Sequence, residues 1–233
     1  MNEPLQMILI PGLLGSPRLY GEQIAALWRC GAVTVADHTR DDNMAAIARG
    51  ILAAAPPRFA LVGHSMGGYI AFEIMRQAPE RVTKLALLDT SARADTPEQT
   101  ERRRAQIALA ESGRFGEVPD QQFSILVHRA RQADEALRRL SRLMAEETGA
   151  EAFIRQQKAI MTRPDSRPGL AAIRSPTLVL VGDADEVTPP DRASEIANGI
   201  RGARLAIVPD CGHMSPLERP GEVTRLLVEW LRA

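Results

Sequence analysis

Gly63-His64-Ser65-Met66-Gly67-Gly68 is the stretch on which the fold of this chain turns. It follows a short apolar run, 59–62, expected to be a buried strand. It precedes Tyr69-Ile70-Ala71-Phe72-Glu73-Ile74-Met75, expected to be a helix. A G-x-S-x-G sequence between a strand and a helix has the form of a nucleophile elbow, a turn so sharp that the residues two before and two after the serine pass close together. Gly63 and Gly67 have no Cβ to collide there, and Gly68 lets the new helix lie close to the sheet. Ser65 Oγ would then stand clear at the carboxyl end of the strand. The same short pattern also arises in plain glycine-rich turns, so the surrounding chain has to decide its meaning.

Working outward, short apolar runs alternate with helical patterns. The runs are 5–10, 32–36, 59–62, 82–88, 177–181 and 204–208. They are mostly apolar on both faces, as a parallel sheet covered by helices on both sides requires. Helical spacing separates them at 19–30, at 43–55 before Pro56-Pro57, and through the elbow helix to Pro79. The expectation is an α/β fold with a doubly wound, mainly parallel six-stranded sheet, whose ligands lie outside the carboxyl ends of the strands. Between Thr90 and Pro168 the alternation stops, and roughly 75 residues pass without a strand signal. Thr96-Pro97-Glu98-Gln99 reads as a capped helix start, with Thr as N-cap, Pro at the first position and Gln reaching back. That helix is expected to run to 113, with others at 120–130, 134–148 and 150–162 and a hinge at 163–168. The expected organisation is a core domain of residues 1–90 and 169–233, with residues 91–168 inserted as a helical lid above Ser65.

At 233 residues the chain is long enough for one substantial core, or for an α/β domain carrying an insertion. Its 29 Lys and Arg balance 29 Asp and Glu, so no basic field draws nucleic acid or an anionic membrane, and neither is expected as a partner. Cys30 and Cys211 are too few for a disulfide framework and too isolated for a metal site. They read as reduced thiols. The N-terminal residues hold Glu3 and no basic residue, and the apolar run 7–10 is shorter than a signal peptide's hydrophobic region. No window approaches a membrane span, and the expected location is cytoplasmic.

A serine hydroxyl needs an adjacent base to act as a nucleophile at neutral pH. The histidines are His38, His64, His128 and His213. The elbow should turn His64 away from Ser65, into packing or a supporting place beside the site. His38 lies beyond the second strand and His128 in the lid. His213, in Pro209-Asp210-Cys211-Gly212-His213-Met214-Ser215-Pro216 after the last strand, shares the carboxyl edge with Ser65 and is the candidate general base. A base needs a carboxylate to orient it. Asp185, in Gly182-Asp183-Ala184-Asp185, is favoured because the chain order Ser65, Asp185, His213 matches that of elbow-bearing folds. Asp183 and, more seriously, Asp89 at the end of the fourth strand compete for the role. Attack on a carbonyl also calls for two backbone N–H donors facing the developing oxyanion. One candidate is Met66, at the start of the elbow helix, where the dipole adds to the hydrogen bond. The other is Leu13 in Pro11-Gly12-Leu13-Leu14-Gly15-Ser16, where the glycines let the loop bend toward the site.

On these residues the chain resembles the α/β-hydrolase fold superfamily, and within it serine hydrolases of carboxylesterase type with a helical lid. The likeness covers nearly all of the chain outside the lid. It rests on Leu9-Ile10-Pro11-Gly12-Leu13-Leu14-Gly15-Ser16, Val62-Gly63-His64-Ser65-Met66-Gly67-Gly68, Val181-Gly182-Asp183-Ala184-Asp185 and Cys211-Gly212-His213 with Pro216-Leu217-Glu218-Arg219-Pro220. Two features depart from the usual pattern. Pro11 stands where the superfamily usually has a loop-shaping histidine. Few residues precede the first strand, so the antiparallel hairpin that opens many such sheets is not expected, as in compact members such as plant methylesterases and hydroxynitrile lyases.

The resemblance implies hydrolysis of carboxylic esters of a small molecule through an acyl-enzyme on Ser65, with no metal and no organic cofactor. A same-fold lyase, or a menaquinone-pathway-type enzyme acting on a carboxylate-bearing substrate, is the alternative if lid arginines (102–104, 129, 131, 138, 139 and 142) face the cavity. A solvated face with partners such as Glu135 and Arg139 is the favoured reading of those arginines. A small-molecule receptor is a further alternative, although binding alone has no need of a full triad. Phe115, Phe123, Leu126, Met144, Phe153 and Met161 are expected mostly to pack the lid on the sheet. With 4% aromatic residues the cavity should be lined by aliphatic groups. No apolar stripe in the sequence marks an oligomer interface.

Overall fold

The structure, a computed structural model, describes residues 5–233; residues 1–4 of the expected core segment lie outside the described residues. Six strands, β1 (Gln6–Ile10), β2 (Ala32–Val35), β3 (Phe59–His64), β4 (Val82–Leu88), β5 (Thr177–Gly182) and β6 (Arg204–Val208), form one sheet in the order β2-β1-β3-β4-β5-β6. Every pairing is parallel. Successive side chains of the inner strands enter opposite layers. Ile8, Ile10, Leu61 and Val179 join one buried cluster with α2 (Met44–Ala54), α3 (Met66–Gln77) and α8 (Pro190–Gly199). Met7, Leu9, Val62 and Leu180 join the other with α1 (Gly21–Trp28) and, following the short α9 (Ser215–Glu218), α10 (Pro220–Arg232). Apolar residues on both faces of a strand are what a two-sided core demands.

The edge strands differ from the expectation. Every residue of β2 is at least partly accessible, and Ile207 on β6 is 51% exposed. Each edge strand has a single neighbour, so the flanking helices cover it incompletely.

From β1 the chain moves outward to β2 and returns on the other side as β3. The winding direction therefore reverses between β1 and β3, the place where sheets of this kind bind ligands. The turn after β3 holds Ser65, and the loop after β1 holds Leu13.

Four helices lie between β4 and β5: α4 (Pro97–Leu109), α5 (Val118–Leu126), α6 (Glu135–Thr148) and α7 (Ala150–Met161). The capping box at Thr96 forms in both directions, with Gln99 N–H donating to Thr96 Oγ1 at 3.2 Å and Thr96 N–H to Gln99 Oε1 at 2.9 Å. Two ends move from their expected places. α4 stops at Leu109 and passes into a wide turn in which Gly113 takes φ 81°, open to glycine and costly to others. α5 stops at Leu126, because Val127 is extended and His128 caps a short 3₁₀ turn. The inserted helices share the main core: Phe123, Leu137 and Met144 join one layer, Ala159 and Ile160 the other. No helix of the described residues is long and apolar enough to cross a membrane.

Candidate active site

Ser65 takes φ 53° and ψ −115°, a conformation that L-residues rarely hold. The turn is pinned on both sides. Ser65 N–H donates to the Leu88 carbonyl at 2.9 Å, and the Ser65 carbonyl accepts from Gly68 N–H at 2.9 Å and Thr90 Oγ1 at 2.8 Å. Packing explains the flanking glycines. A Cβ on Gly63 would enter the Gly67 carbonyl, and one on Gly67 would enter the Ile10 carbonyl of β1.

His213 Nε2 lies 2.8 Å from Ser65 Oγ, and His213 Nδ1 lies 2.8 Å from Asp185 Oδ2. The carboxylate is fixed in turn. Asp185 Oδ1 accepts from the backbone N–H groups of Val187 (2.8 Å) and Thr188 (2.9 Å), and Oδ2 from Thr188 Oγ1 at 2.8 Å. Burial alone would raise the Asp185 pKa, but the His213 ring and the Thr188 hydrogen bonds outweigh it and hold the acid below its ordinary value. Burial likewise opposes a charged His213, while Asp185 beside it carries the ring above the ordinary imidazole value. The line Ser65–His213–Asp185 can thus take a proton from the hydroxyl and stabilise the resulting imidazolium.

The competing aspartates do other work. Asp183 Oδ1 accepts from Cys211 N–H at 3.0 Å and so ties the β5 loop to the histidine loop. Asp89 is fully buried. Its Oδ1 accepts from Gly182 N–H at 3.0 Å, and its Oδ2 meets the Ser215 hydroxyl, so it clamps the start of the Asp185 loop to the end of the His213 loop. Burial, then the charge of Asp185, pushes the Asp89 carboxyl well above the usual carboxylate range.

His64 is buried and packs against the site itself, the supporting place expected as one of its two readings. Burial and then His213 push its pKa down to about 3, so the ring is neutral, and Nε2–H donates to the His213 carbonyl at 2.8 Å. Glu218 completes the frame around His213. Its Oε1 accepts from Gly212 N–H (3.0 Å) and Met214 N–H (3.2 Å), and its Oε2 accepts from His128 N–H at 2.7 Å. A buried acid after the histidine, in the Pro216-Leu217-Glu218 segment, is the available sequence signal for it.

The loop after β1 runs against the elbow: a Cβ on Gly12 would come 3.1 Å from Ser65 Cβ. Neither Leu13 N–H nor Met66 N–H donates to a protein group among the described residues. Pro11 removes the loop-shaping histidine, and other groups shape the loop. Buried His38 bonds the Gly12 carbonyl through Nε2 at 3.0 Å, and Gln156 of α7 accepts from Leu14 N–H at 3.2 Å, holding Leu14 at φ 58°. Neither is visible as a loop partner in sequence, since both act across long chain separations.

Ser65 and His213 open into a cavity of about 440 Å³. One wall is apolar, with Leu126 and Met144 among its residues, whereas Phe123 and Phe153 are wholly buried in packing. The lid arginines divide. Arg104, Arg138 and Arg142 pair with Glu101, Glu135 and Asp120, and the expected Glu135–Arg139 pair is not formed. Arg102, which is exposed to solvent as the solvated-face reading expects, also borders the cavity, as does half-buried Arg103. Among the described residues no group of three or more His, Cys, Asp or Glu is arranged to hold a metal ion.

This geometry can be set beside known proteins. A curated 2-hydroxy-6-oxononadienedioate/2-hydroxy-6-oxononatrienedioate hydrolase from Klebsiella pneumoniae is 30% identical over 177 residues, covering 73% of this chain and 61% of that protein. The match thus spans less than two thirds of the relative's own length. A thermophilic esterase from Thermogutta terrifontis, solved with malate bound, superposes with a TM-score of 0.88 at 28% identity, over 98% of this chain and 89% of the other. The enol-lactonase from Burkholderia xenovorans LB400 gives a TM-score of 0.89 at 22% identity, over 100% and 93% of the two chains, a likeness of fold alone. The alpha/beta hydrolase family model matches residues 8–226, from β1 into α10, and takes in the elbow and both downstream loops. The chain belongs to the alpha/beta hydrolase family.

Proposed function

We propose that this chain is a serine hydrolase that cleaves carboxylic esters of a small molecule through an acyl-enzyme on Ser65. His213 Nε2 takes the hydroxyl proton as Oγ attacks the ester carbonyl, and the Leu13 and Met66 N–H groups receive the oxyanion. The tetrahedral intermediate collapses with cleavage of the C–O bond, and His213 returns the proton to the departing alcohol. Water, deprotonated by the same imidazole, then attacks the acyl-enzyme, and Ser65 leaves with the proton. The 91–168 insertion acts as the lid over the acyl group, and no metal or organic cofactor takes part.

The observation that carries this reading is the pair of 2.8 Å hydrogen bonds joining Ser65, His213 and Asp185 at one cavity. Labelling with a serine-reactive fluorophosphonate, together with turnover of short p-nitrophenyl esters, tests it. Both should be present in the wild type and absent in Ser65→Ala. Folded wild-type protein that does neither would sink the proposal.

A second reading keeps these residues and changes the electrophile. The Klebsiella relative is named for an oxo-dioate, not an ester. On that reading attack falls on a ketone, and a carbon–carbon bond breaks toward a neighbouring carbonyl that accepts the proton from His213. Turnover of a ketone substrate without turnover of any ester would select it.

A further inference from the structure

α4 presents Gln99, Arg102, Arg103 and Gln106 to the cavity, positions spaced i, i+3, i+4 and i+7 along one helical face. Their hydrogen bonds leave that face with donors and few acceptors. Arg103, which only donates, gives Nη1–H to Gln157 Oε1 at 2.9 Å. The Gln157 amide must therefore turn its NH₂ toward Gln106, which accepts through Oε1 at 2.7 Å. The Gln106 NH₂ is left to donate. Gln99 is fixed in the same sense, because its Oε1 already accepts from Thr96 N–H.

Charge runs the same way. Asp95 is shared by Arg103 (2.9 Å) and Arg163 (2.6 Å), so one buried carboxylate serves two guanidinium groups. Arg163 in turn stacks at 4.4 Å over Tyr69, another cavity residue. Arg102 borders the cavity and is exposed to solvent; it has no acidic partner within 4.0 Å among the described residues, and Glu186, the carboxylate of the cavity lining, is not paired with it. A lining that combines cationic and donor groups of α4 with apolar side chains of α5 and α6 suits a molecule with an anion at one end.

We propose that the substrate handled at Ser65 carries a free carboxylate, received by Arg102 with the amide donors of Gln99 and Gln106. This rests on the hydrolase reading for its chemistry, but the anion site itself does not. A guanidinium offers a planar carboxylate two parallel N–H groups, and the neighbouring amides add direction. The apolar wall formed by Leu126 and Met144 then takes the methylenes between the carboxylate and the scissile ester.

The test has two arms. In the first, kcat/KM is measured for monoethyl esters of dicarboxylic acids from succinate to suberate, against ethyl esters of neutral acids of equal length. The wild type should favour the carboxylate series by about tenfold or more at its best length. Arg102→Gln should lose most of that preference through KM, Arg102→Lys should keep part, and Arg104→Gln, on the same helix but paired with Glu101, should keep all. Equal rates on the two series, or a preference untouched by Arg102→Gln, would overturn the proposal. In the second arm, adipate and inorganic phosphate are titrated calorimetrically into Ser65→Ala protein with and without Arg102→Gln. Adipate binding that disappears with Arg102 supports the site even if no ester is hydrolysed, and the hydrolase reading then fails alone. Phosphate binding in place of adipate would overturn the carboxylate assignment.

Discussion

Asp89 and Asp185 both reach the carboxyl edge of the sheet, and their surroundings separate them. Asp185 touches His213 Nδ1, while Asp89 reaches Gly182 N–H and Ser215. Asp185→Asn should therefore lower kcat by about 10³–10⁴, since the tautomer and the imidazolium both depend on that carboxylate. Asp89, whose carboxyl is pushed upward by burial and by Asp185, hydrogen-bonds a backbone N–H and a hydroxyl, and an amide matches its shape. Asp89→Asn should lose less than about tenfold, and Asp89→Ala, which leaves Gly182 N–H and Ser215 without a partner, should lose both activity and stability. Steady-state rates on one ester for the three variants decide between the two acids. The pH profile follows from the same contacts. His213 must be neutral to accept the serine proton, and its pKa is raised by Asp185, Asp89 and Glu218 against the effect of burial. The acid limb of kcat/KM should thus lie above the ordinary imidazole value of about 6.5, and Asp185→Asn should move it to lower pH. A limb that stays put in Asp185→Asn would remove Asp185 as the source of the shift. Ser65, Asp185 and His213 were legible in sequence because each lies in a recognisable short motif in the segment that follows a strand. Asp89 and Glu218 were not legible as a frame around His213, and His64 was legible only as packing or support, because their partners are brought near only by the fold.

Among the elements, α4 was legible at its start and not at its end. Thr96, Pro97 and Gln99 write the N-terminus locally, and the capping box forms as read. Its end depends on Gly113 taking a positive φ in a wide turn, which composition alone does not specify. The direction of its polar face was also hidden. Periodicity reports that Gln99, Arg102, Arg103 and Gln106 share a face, but whether that face meets water or a cavity is settled by the neighbouring helices. Thr96→Ala should cost about 1 kcal/mol of local helix stability. Hydrogen exchange should then speed up over residues 97–109 and stay unchanged over β3 and β4. If the proposed carboxylate site depends on this helix, the variant should also weaken the preference for carboxylate-bearing esters. The elbow is the stricter element. Gly67→Ala would place a methyl group in the Ile10 carbonyl of β1, and it should yield little folded protein, as judged by soluble expression and thermal melting.

At the scale of the whole molecule, the strand order was legible from a plain cue: runs apolar on both faces, separated by helices. The coupling between the sheet and the 91–168 insertion was not, since sequence division into a core and a lid suggests two bodies. The packing argues for one. Phe123 of α5 is fully buried in the same cluster as Leu9, Val62 and Trp230, and Arg138 covers its ring at 4.4 Å. His213 N–H and Met214 N–H both donate to the carbonyl of Leu126, at the end of α5, so the insertion also holds the histidine loop. Phe123→Ala should cost about 3–5 kcal/mol through lost burial and the cavity left behind. If insertion and sheet unfold together, urea curves followed by tryptophan fluorescence, with Trp230 as the buried reporter, and by helical circular dichroism should shift to lower midpoints by the same amount and remain superimposable. Separate transitions, with the fluorescence midpoint unmoved, would show that the insertion melts on its own and that its contacts with the His213 loop contribute nothing to the stability of the sheet.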